Sequence, residues 1–462
     1  MARDEKNHLF ILKGDRNMKG ISIGLLAGTM ALGISACSST SDHSKGAGDS
    51  GTPGPGQPAA VKTDPVEINI YSNNNASEQV FNENYGNALR KAFPQFTINY
   101  IQSKAGSTLP EMIASKTRID IFWTSIGNYE TALFEHGLQF DMTDLIKKHG
   151  IDLNRLEPTV IEAMKQISGG KMYGLPVSTN TLTLFYNKDI FNKFGVQMPT
   201  TDMTWDQANE LARKVTRVEN GKQYYGIASS RDHIIRMNQL SVPNVDMATK
   251  KPTLTTDSRW KQLFETVFIT PSADSGYRDG MTKLKNFPAL DQFAKEQSLA
   301  MLVYPNTLPT SVPNELKTFD WDIAPMPTFK ELPNVGSQSY PVYFGLTSQT
   351  KNKDEAMELL KFMVSEAYQN ELAAKGVLPI VQSDSTMRLL GTNTEFKSKN
   401  YQAMISRKFA PITPKVPEYD TDVFRFYRDQ ALPLAMGQTD INTAFRIAVE
   451  QAEKVIQEKG KK

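Results

Sequence analysis

Flat aromatic rings beside short amides and hydroxyls recur where apolar runs of the chain end. Tyr71 closes "VEINIY" and precedes Asn73, Asn74 and Asn75. Trp123 closes "IDIFW" and precedes Thr124. Asn180 precedes "LTLFYN", Tyr304 and Asn306 follow "AMLV", and Tyr340 and Tyr343 belong to "SYPVYFGL". A sugar ring has apolar C–H faces that stack on aromatics, and edge hydroxyls that need donors and acceptors. These residues suit carbohydrate binding. Any one of the aromatics can equally be a core or turn residue; Trp123 carries the sharper expectation.

Catalytic chemistry has little support. The chain contains no G-x-S-x-G, no Walker loop, no H-E-x-x-H and no EF-hand loop, and "GGKMYG" from Gly169 lacks phosphate-loop spacing. His8, His43, His136, His149 and His233 are scattered without ligand spacing. His136 and His149 each precede a glycine, which favours a helix C-terminus. With 50 acidic residues, carboxylate pairs occur by chance and select no active pair. No catalytic residue, metal or cofactor is expected.

The elements that must position the aromatics alternate between strand and helix. Val66, Ile68 and Ile70 alternate with polar residues, the period of a strand. In "EQVFNENYGNALRKAF", Phe81, Tyr85, Ala88, Leu89 and Ala92 share a helical face. "FTINYI" and "IDIFW" read as strands, with "LPEMIASK" helical between them. Thr204 and Gln207 fit a capping box, followed by Ala208, Leu211, Ala212 and Val215 at helical spacing. A helix from Lys353 breaks near Ser365, and the helical stretch ends at Gly376, a residue suited to a left-handed stop. This alternation predicts an α/β fold, and in open α/β sheets ligands sit outside the carboxyl ends of strands.

The N-terminal region reads differently. Residues 21–36, "ISIGLLAGTMALGISA", are uncharged and largely apolar, and Lys13, Arg16 and Lys19 precede them. That is the pattern of a secretory signal, too short for a span of roughly 20 residues. Cys37 follows directly and is the only cysteine, so no internal disulfide can form. Residues 38–64 hold five Ser, five Gly and three Pro. Such a segment cannot bury enough apolar surface to fold and serves as a tether with a reach of about 30 Å. Translation from Met1 or from Met18 fits the sequence equally. The net charge is +2, and residues 1–36 account for it, so no nucleic-acid partner is expected. The roughly 400 residues beyond the tether exceed the usual size of one core and predict two domains.

Ile34-Ser35-Ala36-Cys37 resembles the lipobox of bacterial lipoproteins, and the remainder resembles the extracellular solute-binding proteins of family 1, receptors of bacterial ABC sugar importers. The resemblance runs from about Val66 to Glu458. Its most specific part is "GGKMYGLPVSTNTLTLFYNKDIFNKFGVQMPTTDMTWDQANELARKVT". "RIDIFWTSIGNYETALFEHGLQFDMTDLI", "FAKEQSLAMLV", "WDIAPMPT" and "YFGLTSQTKNKDEAMELLKFMVSEAYQNELAAKGVLPI" add to it.

The resemblance implies a two-lobed periplasmic-binding-protein fold of type II. Each lobe is a sheet flanked by helices, and a hinge of about three crossovers joins them. Its expected divisions are a signal peptide (1–36), a lipid-anchored tether (37–64), a first lobe from 65–181 and 326–377, and a second from 182–325 and 378–462. It implies lipid on Cys37, a location on the outer face of the cell membrane, a monomer, a carbohydrate ligand and ABC permease partners. Trp123 falls where the maltose-binding members carry a stacking aromatic. Asn180 and Ile126 fall where those members carry acidic residues, and Thr307 falls about where they carry another stacking tryptophan. The ligand implied is therefore a glycan other than maltose.

Two other classes stay open on the residues alone. One is a binding protein for a non-sugar solute, or a sensor serving a signalling partner. The other is a surface enzyme that modifies polysaccharide. A charged ligand would need clustered arginines or acids in the cleft, and the sequence locates none.

Overall fold

The Val66, Ile68, Ile70 alternation builds a strand in the computed structural model, which describes residues 66–74 and 76–461. The strands are β1 (Val66–Ser72), β2 (Phe96–Gln102), β3 (Ile121–Ser125), β4 (Leu175–Ser178), β5 (Leu182–Asn187), β6 (Arg217–Glu219), β7 (Lys222–Ser229), β8 (Leu299–Pro305), β9 (Trp321–Ala324), β10 (Val335–Gln338), β11 (Val342–Leu346) and β12 (Lys408–Ala410). One sheet has the order β2-β1-β3-β11-β4, the other β6-β7-β8-β5-β9, and β10 pairs with β12 apart from both. β1 lies parallel to β2 and β3, while β11 runs antiparallel to β3 and β4. In the second sheet β7 and β8 are parallel and β5 runs antiparallel to β8 and β9.

Each sheet has its own core, giving two lobes. Ile68, Ile121, Phe122, Met357 and Leu360 belong to the first. Phe185, Trp260, Met301, Trp321 and Tyr427 belong to the second. The helices follow the local signals. Thr204 accepts from the Gln207 amide, and the Thr204 amide donates to Gln207 Oε1 at 2.8 Å, opening helix Trp205–Val215. Helix Lys353–Met363 stops before Ser365, whose hydroxyl caps helix Glu366–Ala374. Gly376 follows with φ of 81°. In the first lobe Phe81, Tyr85 and Leu89 are buried as their spacing requires, whereas Ala88 is half-buried and Ala92 exposed.

Among the described residues the chain passes between the two large sheets three times. Residues 179–181 join β4 to β5. The return to the first sheet comes later than position 326. Met326 and Phe329 pack in the second core, Gln239 Nε2 donates to the Pro327 and Val335 carbonyls at 2.8 Å each, and Gln338 Nε2 donates to the Asn238 carbonyl at 2.9 Å. These side chains hold residues 326–338 on the second lobe, and the passage falls between β10 and β11. At the third passage Leu378 packs in the second core, but Ile380 and Val381 pack in the first. No helix among the described residues is long and apolar enough to cross a membrane. The expected leader, Cys37 and the tether lie outside the described residues.

Candidate functional site

The passages between lobes are tied together by residues that the aromatic-and-amide pattern singles out. The Asn180 amide donates to the Tyr340 carbonyl at 3.1 Å, and the Tyr340 amide returns a bond at 2.9 Å. The Thr179 amide donates to the Leu378 carbonyl at 3.2 Å, which brings in the third passage. Asn306 grips the adjoining Thr181 twice: its side-chain oxygen accepts from the Thr181 amide at 2.9 Å, and its own amide donates to the Thr181 carbonyl at 2.9 Å. Tyr340 packs against both cores. Its hydroxyl lies only 2.1 Å from where a Cβ on Gly127 would sit, so glycine is needed there for the ring to hold its place.

The first-lobe wall is neutral. β1 and β3 end side by side, with Ser72 opposite Trp123. The Thr124 hydroxyl is 2.7 Å from Asn73 Oδ1 and 3.3 Å from Asn74 Oδ1, and the Asn74 amide donates to Ser72 Oγ at 3.1 Å. These bonds fold the loop after β1 onto the end of β3 as an amide-rich rim. Asn75 lies outside the described residues.

Three expected aromatics are in the core instead. Trp123 is only 5% exposed, stacks on Phe344 at 5.5 Å, and meets the edge of Tyr85 at 5.0 Å. Its Nε1 has no hydrogen-bond partner among the described residues. Tyr71 packs on Phe122 at 5.3 Å, and the Tyr343 hydroxyl donates to the Val160 carbonyl at 2.5 Å. Burial raises the pKa of both tyrosines. The reason is register. β1 ends at Ser72, β3 at Ser125 and β11 at Leu346, so all three aromatics occupy strand interiors and point into packed layers. Tyr304 and Tyr340 keep part of their surface exposed.

The second-lobe wall is charged. β7 ends at Ser229 opposite Val303 of β8, two residues before β8 ends, and the Ser230 amide donates to the Val303 carbonyl at 2.8 Å. Beyond that edge, the His233 ring lies 6.0 Å from Tyr304, and His233 Nδ1 is 2.6 Å from Ser230 Oγ. Burial lowers the pKa of His233 and raises that of Tyr304. Arg231 and Asp232 stand on the same turn. Asp232 Oδ1 pairs with Arg428 at 3.2 Å, and Arg428 also pairs with Asp429 at 2.8 Å. The Arg236 guanidinium covers the Phe424 ring at 3.7 Å. The sequence pattern of aromatics missed this cluster. "SSRDHIIR" begins with Ser229, the last residue of β7, and the strand-end rule reaches Arg231 by the same logic as Tyr304. Arg428, nearly 200 positions away, has no such signal.

Among the described residues no group of His, Asp or Glu is placed to hold a metal ion. A groove of about 550 Å³ is lined by Asn84 and Asn87 from the first lobe and by Pro309, Thr310, Asn393 and Tyr401 from the rest of the chain. A larger cavity of about 840 Å³, lined by Thr159, Leu378, Met387, Ile405 and Phe409 among others, contains none of the expected ligand residues.

The family model for bacterial extracellular solute-binding proteins matches residues 72–370. A binding protein of Brucella abortus is 23% identical over 285 residues, covering 56% of this chain and 61% of its own length. A carbohydrate ABC transporter substrate-binding protein of Streptococcus pneumoniae is 22% identical over 372 residues, covering 72% of this chain and 66% of that protein. The chain thus matches less than two thirds of the length of these relatives. An ABC substrate-binding protein of Listeria monocytogenes, solved with cycloalternan, shares the fold at a TM-score of 0.64 and 19% identity, over 85% of this chain and 100% of the other.

Proposed function

Because the chain belongs to the bacterial extracellular solute-binding protein family, we propose that it captures a saccharide between its lobes and delivers it to an ABC permease. The observation that carries this reading is the meeting of Asn180, Tyr340 and Asn306 at the passages between lobes, with sheet ends opening on either side. Clefts between domains favour small ligands, and ligand-driven closure needs only that the closed form bind better. The proposed ligand contacts are Asn73, Asn74 and Thr124 from the first lobe, Asn180 and Tyr340 at the passages, and Tyr304 and Asn306 from the second. Relatives described as carbohydrate-, arabinooligosaccharide- and mannitol-binding support a polyhydroxylated ligand. Lipid on Cys37 would keep the receptor beside its permease, and the sugar-binding form would be a monomer.

Calorimetric titration with mono- and oligosaccharides tests the reading. A ligand at 100 times its Kd should also stabilise the fold by about 2.7 kcal/mol. Heat of binding and stabilisation by at least one saccharide are expected, and lack of both across the panel defeats it. Cys37→Ser should release the protein from the membrane with saccharide binding intact, since serine has no thiol to alkylate. Full membrane retention defeats the anchor.

A further inference from the structure

Arg231 stands half-buried at the carboxyl edge of the second sheet and makes no hydrogen bond or ion pair among the described residues. The acid beside it does not neutralise it by contact. Asp232 is engaged by Arg428, and Asp429 pairs with the same arginine. Arg236 lies over Phe424. Of these three arginines, Arg231 is the one without a bonded or ring partner among the described residues. A guanidinium partly withdrawn from water without a protein partner carries a desolvation cost that a bound anion would offset. Burial is the main cause that lowers the pKa of Arg231; the charges of Asp232 and Asp429 act the other way, and that of Arg428 adds to the lowering.

Its position points to the ligand. Arg231 lies two residues beyond the end of β7 at Ser229, and Ser229 is opposite Val303 of β8, the neighbour of Tyr304. Asn306, two residues beyond Tyr304, is bonded to the passage residue Thr181. Arg231, Tyr304 and Asn306 thus share one sheet edge that leads to the cleft between lobes. An aromatic ring, an amide and a fork of N–H donors together match a sugar ring that carries an anionic group.

We infer that the bound saccharide is anionic and that Arg231 is the residue that contacts its charged group. The inference rests on the saccharide-capture reading and narrows it. A uronate carboxylate, a sulfate ester or a phosphate ester would each satisfy the guanidinium fork, and the choice among them is an arm of the test.

The test titrates the full-length protein and its Arg231→Gln and Arg231→Lys variants. The panel comprises neutral oligosaccharides, uronate-containing oligosaccharides, a sulfated disaccharide and a sugar phosphate. The wild type should bind an anionic member, and Arg231→Gln should weaken it about 10- to 100-fold, the loss expected for charged hydrogen bonds. Arg231→Lys should recover part of the loss, because it keeps the charge without the fork. The same Arg231→Gln change should leave the melting temperature of the free protein unchanged or raised, since it removes an unpaired cation; a structural arginine would lower it. Binding confined to neutral saccharides, equal in wild type and variant, overturns the inference and leaves saccharide capture standing. Binding of an anionic saccharide with undiminished affinity in Arg231→Gln also overturns it. Failure of the whole panel removes both readings together.

Discussion

The two walls of the cleft are ends of five-stranded mixed sheets with similar strand arrangements, yet they present opposite chemistry. On the first lobe, Asn73, Asn74 and Thr124 form a neutral rim backed by an aromatic core in which Trp123, Tyr85 and Phe344 touch. On the second lobe, Arg231, Asp232 and His233 follow one another on a short helix, His233 lies beside Tyr304, and Arg428 pairs with Asp232. The first wall draws its order from packing and the second from paired charges. The backbone arrangement determines where ligand groups stand, and the side chains that arrive there determine what is recognised. Packing is costly to disturb, whereas partly exposed charges alter recognition at small cost in stability.

The largest effect should come from the packed wall. Trp123→Ala should destabilise the protein by about 3–5 kcal/mol in denaturant unfolding, the range for buried aromatic truncation. A stable variant with weakened saccharide binding would instead place Trp123 in the cleft and reverse the contrast between the walls. Next is the joint between them. Gly127→Ala sets a methyl against the Tyr340 hydroxyl and should destabilise by about 1–3 kcal/mol, the usual range for overpacking. Adding Tyr340→Phe should restore part of that loss; no restoration would mean that Tyr340 is not the obstacle. The smallest effect belongs to the charged wall. Burial holds the pKa of His233 below the ordinary value of about 6.5. The unfolded chain then binds the proton more readily than the folded one, so stability should fall as pH drops from about 6.5 towards the lowered folded value. His233→Gln should flatten that part of the stability profile. Identical profiles for wild type and variant would show that His233 does not carry it.

Much of the fold was legible because its signals are local. The alternation in "VEINIY" became β1, and the Thr204 and Gln207 pair became a capping box. Ser365 began a new helix, and Gly376 followed the last one in a left-handed conformation. Each depends on neighbours within a few residues. The candidate site was legible only in part. Asn180 and Tyr340 bond to each other and Asn306 bonds to the adjoining Thr181, whereas Tyr71, Trp123 and Tyr343 are buried in the core. β1 and β3 end one and two residues later than their apolar runs suggest, which turns Tyr71 and Trp123 from apparent end residues into interior ones.

Sequence by itself determined the alternation of strands and helices, the helix caps and stops, and the lack of a recognisable catalytic motif, because those properties reside in neighbouring residues. Tertiary structure alone decided which aromatics are covered and where the chain returns to the first lobe. It also decided which arginine lacks a partner. Side chains such as Gln239 hold residues 326–338 on the second lobe through bonds spanning about 90 positions. Arg428 comes to Asp232 from 196 positions away and engages the carboxylate beside Arg231. Burial and pairing are set by residues that only the folded chain brings together, and no spacing within one stretch of sequence carries that information.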